Sequence, residues 1–530
     1  MGGNVLVVNL TRFGDILQTQ PLINDLHSSG YKTGLLGLEN FSAATGLLRN
    51  LDYFAPLPGA SVRAGADSAW SAALERVLKF ATAINEDFAP DYIVNLTPSI
   101  PARLLSKLIA GSKAKILGFG MDEFGFGANE GVWATFFATA AQRRANAPFN
   151  VADMMRRMAS RLTGKTTVDI RLRDPDPEDA AWARAFLGSF EHSTIVGFQL
   201  GASEERRRWP VKNFAALGDL LWKEKGIKPV LLGSERERTL AEEYASFADH
   251  PFIDAVGKTS LPRLAALLKE LSLLVTNDTG TMHLAAGLGV PSLAFFMATA
   301  QPFDTGPLLP GSCCLEPALD CHPCPFGAPC QFAEKCRDIF KPEDAASLVV
   351  GYLEEGNWRA GVSPSLASSC RVWETGRDEA GLAKLEKIAG ENRAFRSAWT
   401  QWQRRFWSRM LDLPESEAWS EAIWADLPEP MVPAKTAAAL REAGVILDSA
   451  RECALIAATN PRAGSLLAKN CERALALFAR NEELAIFGDF WREFTRSQVS
   501  KLDQFAKDIE SFSRGIKSLA DALELRLNVA

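Results

Sequence analysis

The sequence predicts an α/β protein built from two Rossmann-like domains that face a cleft, followed by a third domain that is all helix. Three observations carry this expectation. An apolar strand, a polar turn and an amphipathic helix follow one another from Val5 onward. The same grammar restarts after the Pro- and acid-rich stretch Arg173-Asp174-Pro175-Asp176-Pro177. Beyond about Ser363 strand patterns give way to helical stretches separated by Pro-containing turns such as Pro428 to Pro433. The expected domains are therefore 1–172, 173–362 and 363–530, since a chain of 530 residues is too long for one core.

In the first domain Val5-Leu6-Val7-Val8-Asn9-Leu10 is an apolar run of strand length, Thr11 to Asp15 is a polar turn, and Ile16 to His27 has helical spacing. A strand at 33–37, a helix over 68–85, a strand at 91–96 and a helix at 101–110 continue the alternation. That order gives a parallel sheet with crossover helices. In the second domain the helix 178–187 precedes strands at 194–200, 229–232, 273–276 and 292–296, a second layer of the same kind.

Composition sets limits on function. The chain is 47% hydrophobic and 23% charged, and no apolar run approaches the roughly 20 residues of a bilayer span. Its start has neither a basic segment nor a long apolar one, so a cytoplasmic protein is expected. A formal charge of -6 gives no reason to expect nucleic acid as partner. Six of the nine cysteines fall between Cys313 and Cys336, which in a chain without a secretory signal suggests a metal and not disulfides.

The sharpest motif is Asn277-Asp278-Thr279-Gly280-Thr281-Met282-His283, which follows an apolar strand and opens a helix. A glycine at a strand-to-helix turn lets backbone N–H groups approach a phosphate, and the helix start favours negative charge. The same residues also suit a plain helix cap. A second loop at the carboxyl end of the sheet, Gly201-Ala202-Ser203-Glu204-Glu205-Arg206-Arg207-Arg208-Trp209-Pro210, supplies cations, so the two loops together suit a diphosphate.

These motifs, with Leu10-Thr11-Arg12-Phe13-Gly14-Asp15-Ile16-Leu17 and Pro21-Leu22, resemble glycosyltransferase family 9, the ADP-heptose:lipopolysaccharide heptosyltransferases, over roughly residues 4 to 350. The resemblance implies a GT-B fold, an ADP-heptose donor held by the second domain, and inversion at the anomeric carbon. It also implies roles. Asp15 matches the general base that takes the acceptor's proton, with Arg12 and Gly14 on the acceptor side; a helix-start acid stabilised by the dipole is the simpler account of the same residue. Arg207 would stabilise the leaving diphosphate, with Arg206 and Arg208 as competitors for the role. Ser203, Thr279, Gly280, Thr281 and His283 would contact the phosphates, Asp278 the sugar hydroxyls, and Glu235 the ribose. No catalytic metal is required on this scheme.

Cys321-His322-Pro323-Cys324, Cys330 and Cys336 supply four thiols in a Pro- and Gly-rich loop, enough for a tetrahedral structural site. The family's cysteine-rich loops make iron as reasonable as zinc, and Cys313, Cys314 and His322 are possible substitute ligands. Cys370, Cys453 and Cys471 read as packing residues.

The segment after 363 lies outside the resemblance. Phe395, Trp399, Trp402, Phe406 and Met410 form one helical stripe flanked by Arg393, Arg396, Arg404, Arg405 and Arg409, which suits either a buried core or docking on the inner face of the inner membrane. Leu502, Phe505, Ile509, Phe512, Ile516, Leu519 and Leu523 form a seam for a helical bundle or a homo-oligomer. The expected function is heptose transfer to a lipopolysaccharide core acceptor. The alternatives are a protein O-heptosyltransferase acting on a polypeptide and a non-catalytic GT-B scaffold.

Overall fold

Four consecutive apolar residues, Val5 to Val8, are fully buried at the centre of the first sheet, as expected of a parallel strand covered on both faces. The computed structural model describes residues 2–144, 147–164, 168–188, 194–390, 395–412, 419–498 and 502–527. They form two units, Met1–Leu117 with Asn150–Glu391, and Gly118–Phe149 with Asn392–Ala530.

In the first unit β1 (Asn4–Val8) pairs in parallel with β2 (Lys32–Leu38) and β4 (Tyr92–Asn95), and β2 pairs with β3 (Tyr53–Leu57). The strand order is β3-β2-β1-β4-β5-β6, where β5 (Lys115–Met121) leads into the second unit and pairs antiparallel with β6 (Gly127–Glu130). After β1 come two helices where one was expected: α1 (Phe13–Leu17) and α2 (Gln20–Ser28). The break has local causes. Asn9 donates to the Asp15 carbonyl at 3.2 Å and to Thr19 Oγ1 at 2.8 Å, and Pro21 in the first turn of α2 lacks an N–H to continue the ladder. The helix therefore starts earlier, and Asp15 lies in its first turn. Helices α3 (Trp70–Asp87) and α4 (Ile100–Ala110) cover one face of this sheet, where Ala81, Ile84, Leu105 and Ile109 pack with Leu6, Val8, Leu36 and Ile93.

The second sheet has eight strands in the order β14-β13-β12-β11-β10-β7-β8-β9. Its parallel part comprises β7 (Ile195–Gln199), β8 (Lys228–Leu232), β9 (Ile253–Asp254), β10 (Leu273–Asn277), β11 (Ser292–Phe295) and β12 (Cys313–Pro317). Helix α5 (Gly280–Gly287) follows β10. The two sheets with their helices are a GT-B arrangement. Strand structure does not end at Ser363: β13 (Cys370–Arg377) and β14 (Ala383–Ala389) extend the sheet antiparallel. Charged letters conceal them. Arg371 in β13 is buried because its Nε donates to Glu316 Oε2 at 3.0 Å, an acceptor it shares with Trp373 Nε1 at 3.0 Å.

The helical unit is not made only of chain beyond 363. It takes in helix Val132–Gln142, whose Phe136 packs on Trp407 at 4.9 Å and whose Trp133 Nε1 donates to Asp412 at 2.8 Å. Trp399, Trp402, Phe406 and Met410 are buried, so these four residues of the aromatic stripe are core and not a membrane-facing surface. Arg404 donates to the Pro148 carbonyl and covers the Phe149 ring, and Arg405 pairs with Asp426. Arg393 lies outside the described residues. The last helix, Leu502–Leu527, buries Phe505, Ile509, Phe512, Ile516, Leu519 and Leu523 and packs along helix Ala434–Ile456 of the same chain, with Ser513 donating to the Gly444 carbonyl at 3.0 Å. Its seam is used within the chain. Among the described residues no helix is long and apolar enough to cross a membrane.

Candidate active site

The carboxyl end of β1 and the carboxyl end of β10 meet through the first turns of α1 and α5. Glycines permit the approach. A Cβ on Gly14 would lie 3.3 Å from Gly280 Cα and 3.2 Å from the His283 ring, and a Cβ on Gly280 would lie 2.4 Å from Phe13. Asp15 is half-buried at this junction and accepts the Arg12 backbone N–H at 3.2 Å, so it does cap its helix. The cap uses one carboxylate oxygen. Thr19 Oγ1 and Asn9 both hold the Asp15 carbonyl, fixing the turn from which the side chain projects.

On the other side Asp278 is buried and its carboxylate forms a very short ion pair with Arg207, while Thr305 Oγ1 donates to it at 3.3 Å. Arg207 Nη1 also donates to Ser203 Oγ at 3.1 Å. The buried Nε atoms of Arg207 and Arg208 have no hydrogen-bond partner among the described residues. The structure separates the three arginines. Arg206 turns away, pairing with Glu204 at 2.8 Å and donating to the Ala328 carbonyl at 2.7 Å, and the carbonyl of Arg208 accepts from Arg337 at 3.0 Å.

Thr279 and Gly280 are partly open at the start of α5, where first-turn amides lack intrahelical acceptors. Thr281 points the other way, its hydroxyl donating to Gln199 Oε1 at 3.0 Å inside the fold. His283 is buried, and its Nε2 is 3.2 Å from the Gln18 side-chain nitrogen. Burial lowers its pKa, opposed by the carboxylates of Asp278 and Asp15. The neutral imidazole then accepts from Gln18. Because the folded chain disfavours the proton, the unfolded chain binds it more tightly, and stability present above the ordinary histidine pKa of about 6.5 is lost as pH falls below it. Thermal unfolding midpoints are expected to drop on acidification through that window, and to drop less in His283→Gln; parallel profiles for the two proteins would contradict the assignment.

Glu235 is exposed and lies against Gly257, where a Cβ would come within 2.0 Å of its Oε2. The carboxylate turned toward the sheet edge is Glu237, which accepts from Ser234 N at 2.6 Å and from Gln199 Nε2 at 3.4 Å. Asn277, which opens the motif, has a role that the sequence alone does not assign. Its Oδ1 accepts the Trp209 N–H at 2.8 Å, and its Nδ2 donates to the carbonyls of Leu200 at 3.0 Å and Gly201 at 3.1 Å. One amide thus binds the arginine loop to β10. Trp209 completes the anchor by stacking on Phe295 at 4.3 Å and donating to the Phe340 carbonyl at 2.9 Å.

The cysteine loop is tied to the segment after β11 and to the arginine loop. Cys324 N donates to the Ala298 carbonyl at 2.8 Å, and Arg206 reaches the Ala328 carbonyl. Burial first, and neighbouring thiols next, raise the pKa of Cys324. Among the described residues, however, no group of three or more His, Cys, Asp or Glu side chains converges to hold a metal ion, so the expected set of Cys321, Cys324, Cys330 and Cys336 is not gathered into a metal site. Cys330 is exposed, and its sulfur accepts from its own loop, from Phe332 N at 3.4 Å and Glu334 N at 3.3 Å. The substitute ligands are also committed. Cys313 and Cys314 are buried in β12, and His322 is held between Glu316 at 3.2 Å and the Ala300 carbonyl at 2.8 Å. Cys370 and Cys453 are buried packing residues, and Cys471 is half-buried.

Two Rossmann-like layers, with a strand-to-helix turn at Gly280 and the half-buried Arg207 beside it, make up a GT-B arrangement. Residues 134–334 match the model of glycosyltransferase family 9 (heptosyltransferase). Ser203, Arg207, Glu235 and the 278–283 motif lie within the matched segment, and Asp15 lies outside it. The lipooligosaccharide heptosyltransferase 2 of Haemophilus ducreyi is 33% identical over 128 residues, 23% of this chain and 36% of that protein. The lipopolysaccharide heptosyltransferase 2 of Escherichia coli is 31% identical over 119 residues, 22% of this chain and 34% of that protein. The chain thus spans about a third of the length of these curated relatives. Among solved structures, a family 9 glycosyl transferase from Veillonella parvula is 21% identical, covers 57% of this chain and 84% of that one, and superposes with a TM-score of 0.47. The E. coli heptosyltransferase WaaC with ADP is 20% identical, covers 57% and 90%, and gives 0.43.

Proposed function

We propose that the chain is an inverting glycosyltransferase that moves heptose from ADP-heptose to a lipopolysaccharide core acceptor, at the cytoplasmic side of a membrane. The observation that carries the reading is the junction of α1 and α5, which puts a carboxylate, Asp15, near the buried His283 that also neighbours Asp278, the partner of Arg207. Asp15 takes the proton from the acceptor hydroxyl as that oxygen bonds to the anomeric carbon. The bond from that carbon to the diphosphate breaks on the opposite face, and its electron pair leaves with ADP. Arg207 and the first amides of α5 stabilise the charge that grows there. Ser203, Thr279 and Gly280 hold the phosphates, Asp278 the sugar, and Glu235 or the better-placed Glu237 the ribose.

Incubating the purified chain with ADP-heptose, and measuring ADP release with lipid-core or polypeptide acceptors, tests this directly. Release that depends on lipid core supports it. Release with polypeptide alone reassigns the acceptor, and absence of both donor binding and release overturns the transferase reading.

The proposal includes an iron or zinc ion whose binding would have to draw together Cys321, Cys324, Cys330 and Cys336, which the described residues do not gather without it. Its support is the donor chemistry of four thiols on one loop. Protein purified without chelator is expected to carry about one equivalent of metal that Cys324→Ser removes. Metal-free wild type with an unchanged melting temperature under chelation would contradict it.

A further inference from the structure

Gly14 and Gln18 stand one turn apart at α1, with the Gln18 backbone N–H donating to the Gly14 carbonyl at 3.0 Å. Both meet the same ring on α5. A Cβ on Gly14 would lie 3.2 Å from His283 Cδ2, and the Gln18 side-chain nitrogen is 3.2 Å from His283 Nε2. The first Rossmann-like layer thus covers one edge of an imidazole that belongs to the second. Nδ1, on the opposite edge, has no hydrogen-bond partner among the described residues. His283 follows Thr279 by one turn, and helix side chains lean toward the N-terminus, so the ring shares a helix face with the strand-to-helix turn at Thr279 and Gly280.

An amide is an expensive choice at position 18. Gln18 is 4% exposed, its side-chain oxygen is buried without a partner among the described residues, and the narrow crevice it lines is walled by apolar residues such as Leu17, Pro21, Leu172 and Leu308. A leucine of similar length would strand no oxygen there. What the amide supplies is its N–H on His283. Burial lowers the pKa of that histidine against the pull of Asp278 and Asp15, so at neutral pH the ring is neutral and carries one proton. A donor at Nε2 decides where, because Nε2 must then accept and the proton goes to Nδ1. We propose that Gln18 is a positioning residue for His283, fixing the Nδ1–H tautomer so that the ring presents an uncharged donor to the diphosphate of a nucleotide sugar. The phosphate contact rests on the transferase reading, whereas the tautomer stands on the geometry of α1 against α5.

Nuclear magnetic resonance of the full chain with isotope-labelled histidine nitrogens reports the tautomer, and among five histidines the loss of one signal in His283→Gln identifies it. In the ligand-free wild type at about pH 8, above the ordinary histidine range, Nδ1 is expected to carry the proton, the reverse of what free histidine favours. Gln18→Leu keeps the bulk and removes the donor, so the Nε2–H form should become the major one while the melting temperature moves by no more than about 4 °C. ADP affinity measured by calorimetry should fall about fivefold in Gln18→Leu, the worth of one neutral hydrogen bond, and should fall no further when Gln18→Leu is added to His283→Gln. A proton on Nε2 in the wild type, an unchanged tautomer in Gln18→Leu, or ADP bound equally well by the wild type and Gln18→Leu would overturn the proposal. A wild type with the Nδ1–H tautomer that binds no ADP would leave the hold of Gln18 on His283 standing and remove the transferase reading instead.

Discussion

Asp15→Asn is expected to lower turnover by about 10²- to 10⁴-fold, as much as Asp15→Ala, with donor affinity nearly unchanged. The pair of variants separates two roles that the structure superimposes on one carboxylate. Asp15 accepts the Arg12 N–H at 3.2 Å, and a residue that only caps α1 would be replaced well by asparagine, whose side-chain oxygen accepts the same bond. A general base would not, because the amide cannot take up a proton at neutral pH. Alanine should cost about 1 kcal/mol of stability through the lost cap, and asparagine little. Steady-state turnover at saturating ADP-heptose and thermal melts on the same preparations give both readings. Activity recovered in Asp15→Asn but lost in Asp15→Ala would reduce Asp15 to a capping residue.

The parts of this fold that were legible in the sequence are those whose physics is local. Apolar runs bounded by turns gave away the parallel strands, and the glycine at 280 marked the turn from strand to helix. What was hidden depends on partners distant in the chain. Arg206, Arg207 and Arg208 have the same local chemistry, and only the position of Asp278, 71 residues on from Arg207, distinguishes the one that pairs with it. Asn277 looks like a polar strand end until its four carbonyl and amide partners from 199 to 209 are in place. The strand β13 reads as charged because its arginine is neutralised by Glu316, 55 residues earlier. Residues 118–149 join the helical unit through aromatic contacts with chain beyond 392, which no window of sequence contains. The aromatic stripe on helix Phe395–Asp412 had two readings with the same periodicity, and the burial of Trp399, Trp402, Phe406 and Met410 decided for core.

Arg207→Met should lower turnover by about 10²- to 10³-fold, the usual effect of removing one preorganised group that stabilises developing charge. It should also destabilise the protein before any substrate binds. Arg207 and Asp278 have side chains only 12% and 5% exposed, and removing the cation leaves a buried carboxylate that the Thr305 hydroxyl at 3.3 Å only partly satisfies. Breaking such a pair costs on the order of 3 kcal/mol, so the melting temperature should fall with the rate. The two losses have different origins and can be separated. In Arg207→Met/Asp278→Asn the stranded charge is gone, so most of the lost stability should return, whereas turnover should stay low because the leaving diphosphate still lacks its cation. Arg207→Lys keeps a charge but not the fork that reaches Ser203 and Asp278 together, and should fall between wild type and methionine in rate. If the double variant regained activity along with stability, Arg207 would be a structural counter-ion for Asp278, and stabilisation of the leaving group would have to come from the amides of α5.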